Sequence, residues 1–293
     1  MNRKQAFNLV LAVITSSSIF FTLQTNASEL SYTVSETAHA LNTPDKTNVS
    51  VCGVDIASPP YFLFSSAQTP KSGEHRGITY DLMKEVSQQL NINIEILRFP
   101  WKRCLTMLKK GTTDGVIGAS FIDKRTLFGH YPTTPTGLID QNRVMFTSVY
   151  WLYTNSPSIL WNGRSLTLPD NGIAATNLGY SSVGLLEKLG INVHEEHQPS
   201  RLVTMLMSNR PVLIAGYENQ LKPLISESIK KNKIPAEKIK KRPTPLSHDY
   251  MYLLISKPFY RSHKGMTESI WNLFGEFHKS GRYQQIADTY LKK

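Results

Sequence analysis

From residue 48 onward the apolar positions alternate between a period of two and a period near 3.6. Asn48 to Ile56 is a short β-rich run closed by Ser58-Pro59-Pro60. Gly77 to Leu90 places Ile78, Leu82, Val86 and Leu90 on one helical stripe, and Asn91 to Phe99 alternates Ile92, Ile94 and Ile96 as a strand does. Pro100 opens a second helix at N1, where its missing N–H is no loss, with Trp101, Cys104, Leu105 and Leu108 on one face. Gly111 ends that helix as a C′ glycine, and Gly115 to Ala119 is another buried strand. This order of strand, helix, strand, helix, strand predicts an α/β lobe with parallel strands.

The rhythm breaks over 126–145, where Pro132, Pro135 and Gly137 fall, and resumes with an aromatic strand from Met145 to Tyr153. After a Ser-Pro turn and Trp161-Asn162-Gly163, a second α/β series follows. Its strands are Gly172 to Thr176, Asn192 to Glu195 and Val212 to Ala215; its helices are Ser181 to Leu189, Ser200 to Met207 and a basic helix near 218–233. Tyr250 to Ser256 is a further strand, and Met266 to Phe277 and Arg282 to Tyr290 are amphipathic helices. Two α/β lobes create a cleft, and open α/β sheets bind ligands beyond the carboxyl ends of their strands. Asp55 and Tyr61 follow the first strand, Trp101 the second, Ser120 and Arg125 the third. Gly179-Tyr180-Ser181 follow the first strand of the second lobe, and Tyr217 and Glu218 its last.

Composition narrows the class. At about 150 residues per domain, 293 residues make roughly two domains. With 40% hydrophobic residues and no biased tract, collagen-like, low-complexity and largely disordered chains are excluded. One segment alone suggests a membrane span, which excludes a polytopic membrane protein. Arg3 and Lys4 precede an apolar stretch from Ala6 to Leu23, and Thr25-Asn26-Ala27 supplies small residues at the exit. This predicts a signal peptide over 1–27, cleaved after Ala27, and a periplasmic mature protein; a retained anchor is the alternative. Residues 28–47 are polar and read as a flexible leader.

Without residues 1–27, which hold two basic residues and no acid, the formal charge of +11 becomes +9. Lys230, Lys231, Lys233, Lys238, Lys240, Lys241 and Arg242 carry much of the excess, with no aromatic between them to stack bases. They are expected to form a solvated, mostly helical face, and no nucleic-acid partner is implied. The two cysteines, Cys52 and Cys104, have neither CxxC nor metal-type spacing. A disulfide between them would close a loop of about 50 residues, worth roughly 4 kcal/mol in the chain-entropy model; two buried free thiols are the alternative. His194-Glu195-Glu196-His197 is not HExxH and lacks a third ligand at a sensible spacing, so it reads as a polar turn. No metal site, phosphate loop or cofactor is expected.

Pro59-Pro60-Tyr61, Gly77-Ile78-Thr79-Tyr80-Asp81-Leu82, Pro100-Trp101 through Gly111-Thr112-Thr113-Asp114, Ser120 to Arg125 and the closing Gly281-Arg282-Tyr283 with Ile286 and Tyr290 stand in one order. In these the sequence resembles the bacterial extracellular solute-binding proteins of family 3, the amino-acid-binding type, over nearly all of 48–293. The resemblance implies the type II periplasmic binding protein fold: two α/β lobes joined by two crossover segments, with a ligand cleft between them. Lobe 1 would be 48–147 and 250–293, and lobe 2 would be 148–249. It implies that Arg125 takes a ligand carboxylate, a task suited to a planar guanidinium that never deprotonates. Ser120 would share that carboxylate, Trp101 and Tyr61 would pack on the ligand, and Asp55 would read its distal group. Gly179-Tyr180-Ser181 matches a loop whose amides bind an anionic group at a helix N-terminus.

The sequence departs from the family in two places. Asn209-Arg210-Pro211-Val212 replaces the usual Gly-(Arg/Lys)-x-Asp, and Tyr217 stands where an acid normally holds the ligand's α-ammonium, with Glu218 one step later. The segment 126–145 is also longer than usual. Both suggest a ligand other than a standard α-amino acid, and a cleft with several aromatics fits a larger or partly apolar one. The function implied is a monomeric periplasmic binding protein without catalytic residues. It would present its small-molecule ligand to an ABC transporter permease or to the periplasmic sensor domain of a membrane protein. The alternative is a dehydratase-like enzyme on the same fold, with Glu218, His130 and His248 as its candidate acids and bases.

Overall fold

The structure, a computed structural model, describes residues 46–68, 75–233 and 235–291. The expected signal peptide and residues 28–45 of the leader lie outside the described residues. Strand β1 (Asn48–Val54) is the middle of a parallel trio with β2 (Asn93–Phe99) and β3 (Gly115–Ser120), connected through α1 (Ile78–Leu90) and α2 (Trp101–Lys110). Helix α2 starts one residue later than expected: Pro100 caps it rather than occupying its first turn. Gly111 ends it in the left-handed conformation, φ 69°. After β3 the chain forms the short β4 (Gly129–His130), then the long β5 (Phe146–Thr154) and a hairpin of β6 (Leu160–Trp161) and β7 (Leu166–Thr167).

A second parallel trio follows from β8 (Ala174–Asn177), α3 (Ser181–Lys188), β9 (Val193–Glu196), α4 (Pro199–Met207) and β10 (Leu213–Tyr217). Helix α5 (Glu218–Asn232) leads to the two-residue β11 (Lys240–Lys241) and the long β12 (Ser247–Ser256). Three helices close the chain: α6 (Lys257–Ser262), α7 (Lys264–Lys279) and α8 (Arg282–Leu291). Neither β4 nor α6 was signalled by periodicity, because two and six residues are too few to show one. The basic stretch is also not one helical face. Helix α5 stops at Asn232, Lys233 turns left-handed with φ 50°, and Lys240 and Lys241 form a strand paired with β5.

Among the described residues the main sheet has ten strands, ordered β2-β1-β3-β12-β5-β10-β8-β9, with β11 and β4 off this path. The inner strands β1, β3, β8 and β10 are largely buried, which is why they read as apolar runs, while the edge strands β2 and β9 hold no fully buried residue. Val51 joins Ile78, Leu82 and Trp271 in one cluster, while its neighbour Cys52 joins Leu108, Val116 and Leu254 in another. In the second trio Ile214 packs with Leu202, Leu206 and Leu221, while Leu213 packs with Leu152, Ile159 and Leu186. Cys52 and Cys104 are joined by a disulfide, with Cα atoms 5.5 Å apart, which ties α2 to β1. The C-terminal helices return to the first trio, where Tyr290 donates to Asp81 on α1 at 2.7 Å.

The two long strands join the halves. β5 runs antiparallel to β12 through Phe146–Tyr150 and antiparallel to β10 through Tyr150–Thr154. β12 in turn pairs with β5 up to Met251 and with β3 from Met251 onward. Tyr150 and Met251 are therefore paired on both sides and mark the seam between the lobes. Among the described residues no helix is long and apolar enough to cross a membrane.

Candidate functional site

The seam carries a cavity of about 50 Å³, a few waters' worth of space. Its walls come from both trios. Seven of the ten residues expected at a ligand site line it: Tyr61, Trp101, Ser120, Arg125, Tyr180, Ser181 and Tyr217. Asp55, Gly179 and Glu218 are not part of its lining, although the Gly179 carbonyl accepts from Arg125 and Trp101.

Arg125 stands on a 3-10 turn, Asp123–Leu127, one short loop past β3. It is 5% exposed. One terminal nitrogen donates to the Ser120 carbonyl at 2.8 Å and to Ser120 Oγ at 3.4 Å; the other donates to the Gly179 carbonyl at 3.3 Å. The guanidinium carbon lies 5.2 Å from the centre of the Trp101 ring. Among the described residues no carboxylate comes within ion-pair distance of it. The cation is thus buried with neutral partners, although a buried charge is costly unless it is paired.

Trp101 begins α2 and donates Nε1–H to the same Gly179 carbonyl at 3.0 Å. That carbonyl therefore receives both first-lobe residues. Gly179 is left-handed at φ 74°, and a side chain there would meet Lys102 at 3.0 Å, so glycine lets the two walls approach. Its amide, expected to greet an anion, instead donates to Glu195 Oε2 at 2.6 Å, and Glu195 lies 3.8 Å from Lys102. Asp55 stands one residue past β1; its Oδ2 lies 3.5 Å from His197 Nε2, and its Oδ1 is buried with no hydrogen-bond partner. Glu218 opens α5 and accepts from Lys241 at 3.0 Å, outside the cavity. Glu196 pairs with Arg201 at 3.5 Å, so the His-Glu-Glu-His run has separate partners rather than one centre.

Tyr61 is held by the 58–62 turn, whose carbonyls accept from the first amides of α1. Gly77 permits this contact: at φ 135° it passes so close that a Cβ would sit 2.3 Å from the Tyr61 carbonyl oxygen. Tyr61 stacks on Phe146 at 4.0 Å and donates to the Thr147 carbonyl at 2.8 Å. Tyr150 stacks on Tyr217 at 4.1 Å, and Tyr180 lies 6.0 Å from Tyr217. Burial raises the hydroxyl pKa of Tyr61, Tyr150, Tyr180 and Tyr217 well above 10, which keeps all four neutral. Ser181 donates to Asp249 at 2.9 Å.

Sequence reading missed Ser58, Phe62, Phe146, Tyr150, Gln220 and Met251 among the lining residues. The aromatic strand was visible, but which of its residues faces the cleft depends on register. The segment 126–145 packs on the first trio: β4 pairs with Ile255–Ser256, Arg143 bonds Glu268 at 2.6 Å, and Tyr131 donates to the Ser120 carbonyl at 2.7 Å. His130 belongs to that region and stacks on Tyr260 at 4.2 Å.

Two parallel trios exchanged through β5 and β12, with a cavity at the exchange, define a two-lobed α/β clamp of the type II periplasmic binding protein class. The chain belongs to the bacterial extracellular solute-binding proteins, family 3, whose family model matches residues 51–293. No curated protein matches it. Solved structures share the fold at low identity. A histidine kinase sensor domain with similarity to periplasmic binding proteins aligns with TM-score 0.62 and 14% identity, over 85% of this chain and 98% of that one. The substrate-binding protein of an amino acid ABC transporter aligns at 0.60 and 16%, over 84% and 100%. An ancestral amino acid-binding protein, a precursor of cyclohexadienyl dehydratase, aligns at 0.58 and 15%, over 88% and 99%.

Proposed function

We propose that this protein is exported to the periplasm and captures a small carboxylate-bearing solute between lobe 1 (48–147 and 250–293) and lobe 2 (148–249). The observation that carries the reading is the buried Arg125 cation, held by neutral groups and facing a cavity in the seam. A carboxylate there would receive charge-assisted bonds from the guanidinium and Ser120, offsetting the cost of burying the arginine. Trp101, Tyr61, Tyr180 and Tyr217 would enclose the rest of the solute. The cavity lies where the two lobes meet, so capture would proceed by the lobes parting and closing again over the solute. The closed form, with its contacts at the Gly179 carbonyl, is what a membrane partner would recognise. An ABC importer and a membrane sensor both suit such a clamp, since the structural neighbours include one of each kind.

An enzymatic reading has less support. Of its candidate acids and bases, Glu218 is paired with Lys241, His130 packs on Tyr260, and His248 lines an outer groove; none of them lines the cavity. The capture reading is tested by melting the purified protein with amino acids, hydroxy acids, oxo acids and polyamines. Carboxylates should raise Tm in wild type and not in Arg125→Ala. A shift that survives unchanged in Arg125→Ala rejects the role of Arg125.

A further inference from the structure

The cavity's polar inventory is asymmetric. Among the described residues its lining includes one cation, Arg125, and no aspartate or glutamate. The nearest acids stand outside that lining: Asp249 accepts from Ser181, and Asp55 has its Oδ2 3.5 Å from His197 while its Oδ1 is buried with no hydrogen-bond partner. The remaining polar lining consists of serine and tyrosine hydroxyls and Gln220. Gln220 is 5% exposed, and its Oε1 is buried with no hydrogen-bond partner. Such an oxygen suits a neutral O–H or N–H donor of a ligand.

An ammonium in this space would be a second buried cation with no counter-charge, the arrangement that buried ion pairs exist to avoid. Aromatic faces can replace a carboxylate for some cations, but only where the faces are open. Here Tyr61 faces Phe146, Tyr150 faces Tyr217, and the Trp101 ring is approached by Arg125 itself. The rings offer apolar edges and hydroxyls rather than an open cage.

From this we infer that the ligand is a carboxylate without an ammonium group: a hydroxy or oxo acid with a neutral, partly apolar body. This rests on the capture reading above and names its solute class. Arg125 would take the carboxylate, and Gln220 with the tyrosine hydroxyls would take the hydroxyl or carbonyl where an amino acid carries its nitrogen.

The test is calorimetric titration of the dialysed protein with three matched sets: alanine, lactate and pyruvate; valine, 2-hydroxyisovalerate and 2-oxoisovalerate; phenylalanine, phenyllactate and phenylpyruvate. Glycine betaine is added as the open-cage control. In the best-fitting set, the hydroxy or oxo acid should bind roughly tenfold tighter, or more, than its amino acid and than betaine, given the penalty on an unpaired buried ammonium. Any smaller margin, or a preference for the amino acid or for betaine, overturns the inference. If an amino acid wins and its binding is lost in Arg125→Ala, the capture reading stands while the ammonium-free class falls. Asp55→Asn and Asp249→Asn would then show which acid reaches the nitrogen. If none of the compounds binds wild type, the capture reading falls and takes the inference with it.

Discussion

The two lobes repeat one scheme, three parallel strands with helices on both faces, yet they meet the seam with different chemistry. The first supplies the cation of the cavity lining, Arg125, and the indole of Trp101. It is also the lobe that holds both cysteines, and their disulfide fixes α2, which carries Trp101, to β1. The second lobe supplies hydroxyls, an amide and the Gly179 carbonyl, and it has no disulfide. In the proposed capture the lobes would have separate tasks: the stapled lobe would present the cation that selects an anion, and the other lobe would close over it.

Removing the charge should have the largest effect. Arg125→Ala is expected to weaken binding of a carboxylate by about 3 kcal/mol, roughly a hundredfold, as for other buried charge pairs that lose one member. The corresponding change on the neutral wall, Gln220→Ala, should cost about 1 kcal/mol. Titration of both variants checks the contrast, and equal losses would erase it.

Next comes the staple. Replacing Cys52 and Cys104 together by serine opens a loop spanning 52 residues of separation and should cost about 3 kcal/mol, below the chain-entropy figure because the reduced unfolded chain retains some structure. For a protein of this size that corresponds to a fall in Tm of roughly 6–12 °C, read by calorimetry. Trp101→Phe keeps the ring but deletes the bond to Gly179, so closure should weaken by about 1 kcal/mol and ligand affinity by roughly fivefold.

The smallest effect is a pH dependence placed in the first lobe. Burial, then the nearby Lys257, holds the His130 imidazole below its usual 6.5. The unfolded chain therefore takes up this proton first as pH falls. The stability linked to neutral His130 is present above the unfolded value and is lost as pH drops through the folded one. Tm should accordingly decline in mildly acidic buffer, and His130→Asn should flatten part of that decline. An unchanged slope would remove His130 from the account.

Much of the fold is legible in the sequence because its signals are long. The stripe from Ile78 to Leu90, the alternation of Ile92, Ile94 and Ile96, and Gly111 each correspond to an element that forms where expected. The site is legible only to the strand end, not to the side of it. Val54, the last residue of β1, lines the cavity, while Asp55, one residue past the strand, sits beside His197. Glu218 and Gln220 are two residues apart on one helix, so at about 100° per residue they point in nearly opposite directions, and the glutamine is the one that reaches the cavity. Phe146, Tyr150 and Met251 enter through strand register, which no local pattern encodes.

The central claim is that a carboxylate of the solute meets Arg125 inside the seam. The most direct measurement is a double-mutant cycle by titration, comparing the tightest-binding acid with its methyl ester on wild type and on Arg125→Met. Wild type should prefer the acid by roughly a hundredfold, and this preference should vanish in the variant. Acid and ester binding alike to wild type, or an acid preference that persists in Arg125→Met, would contradict it.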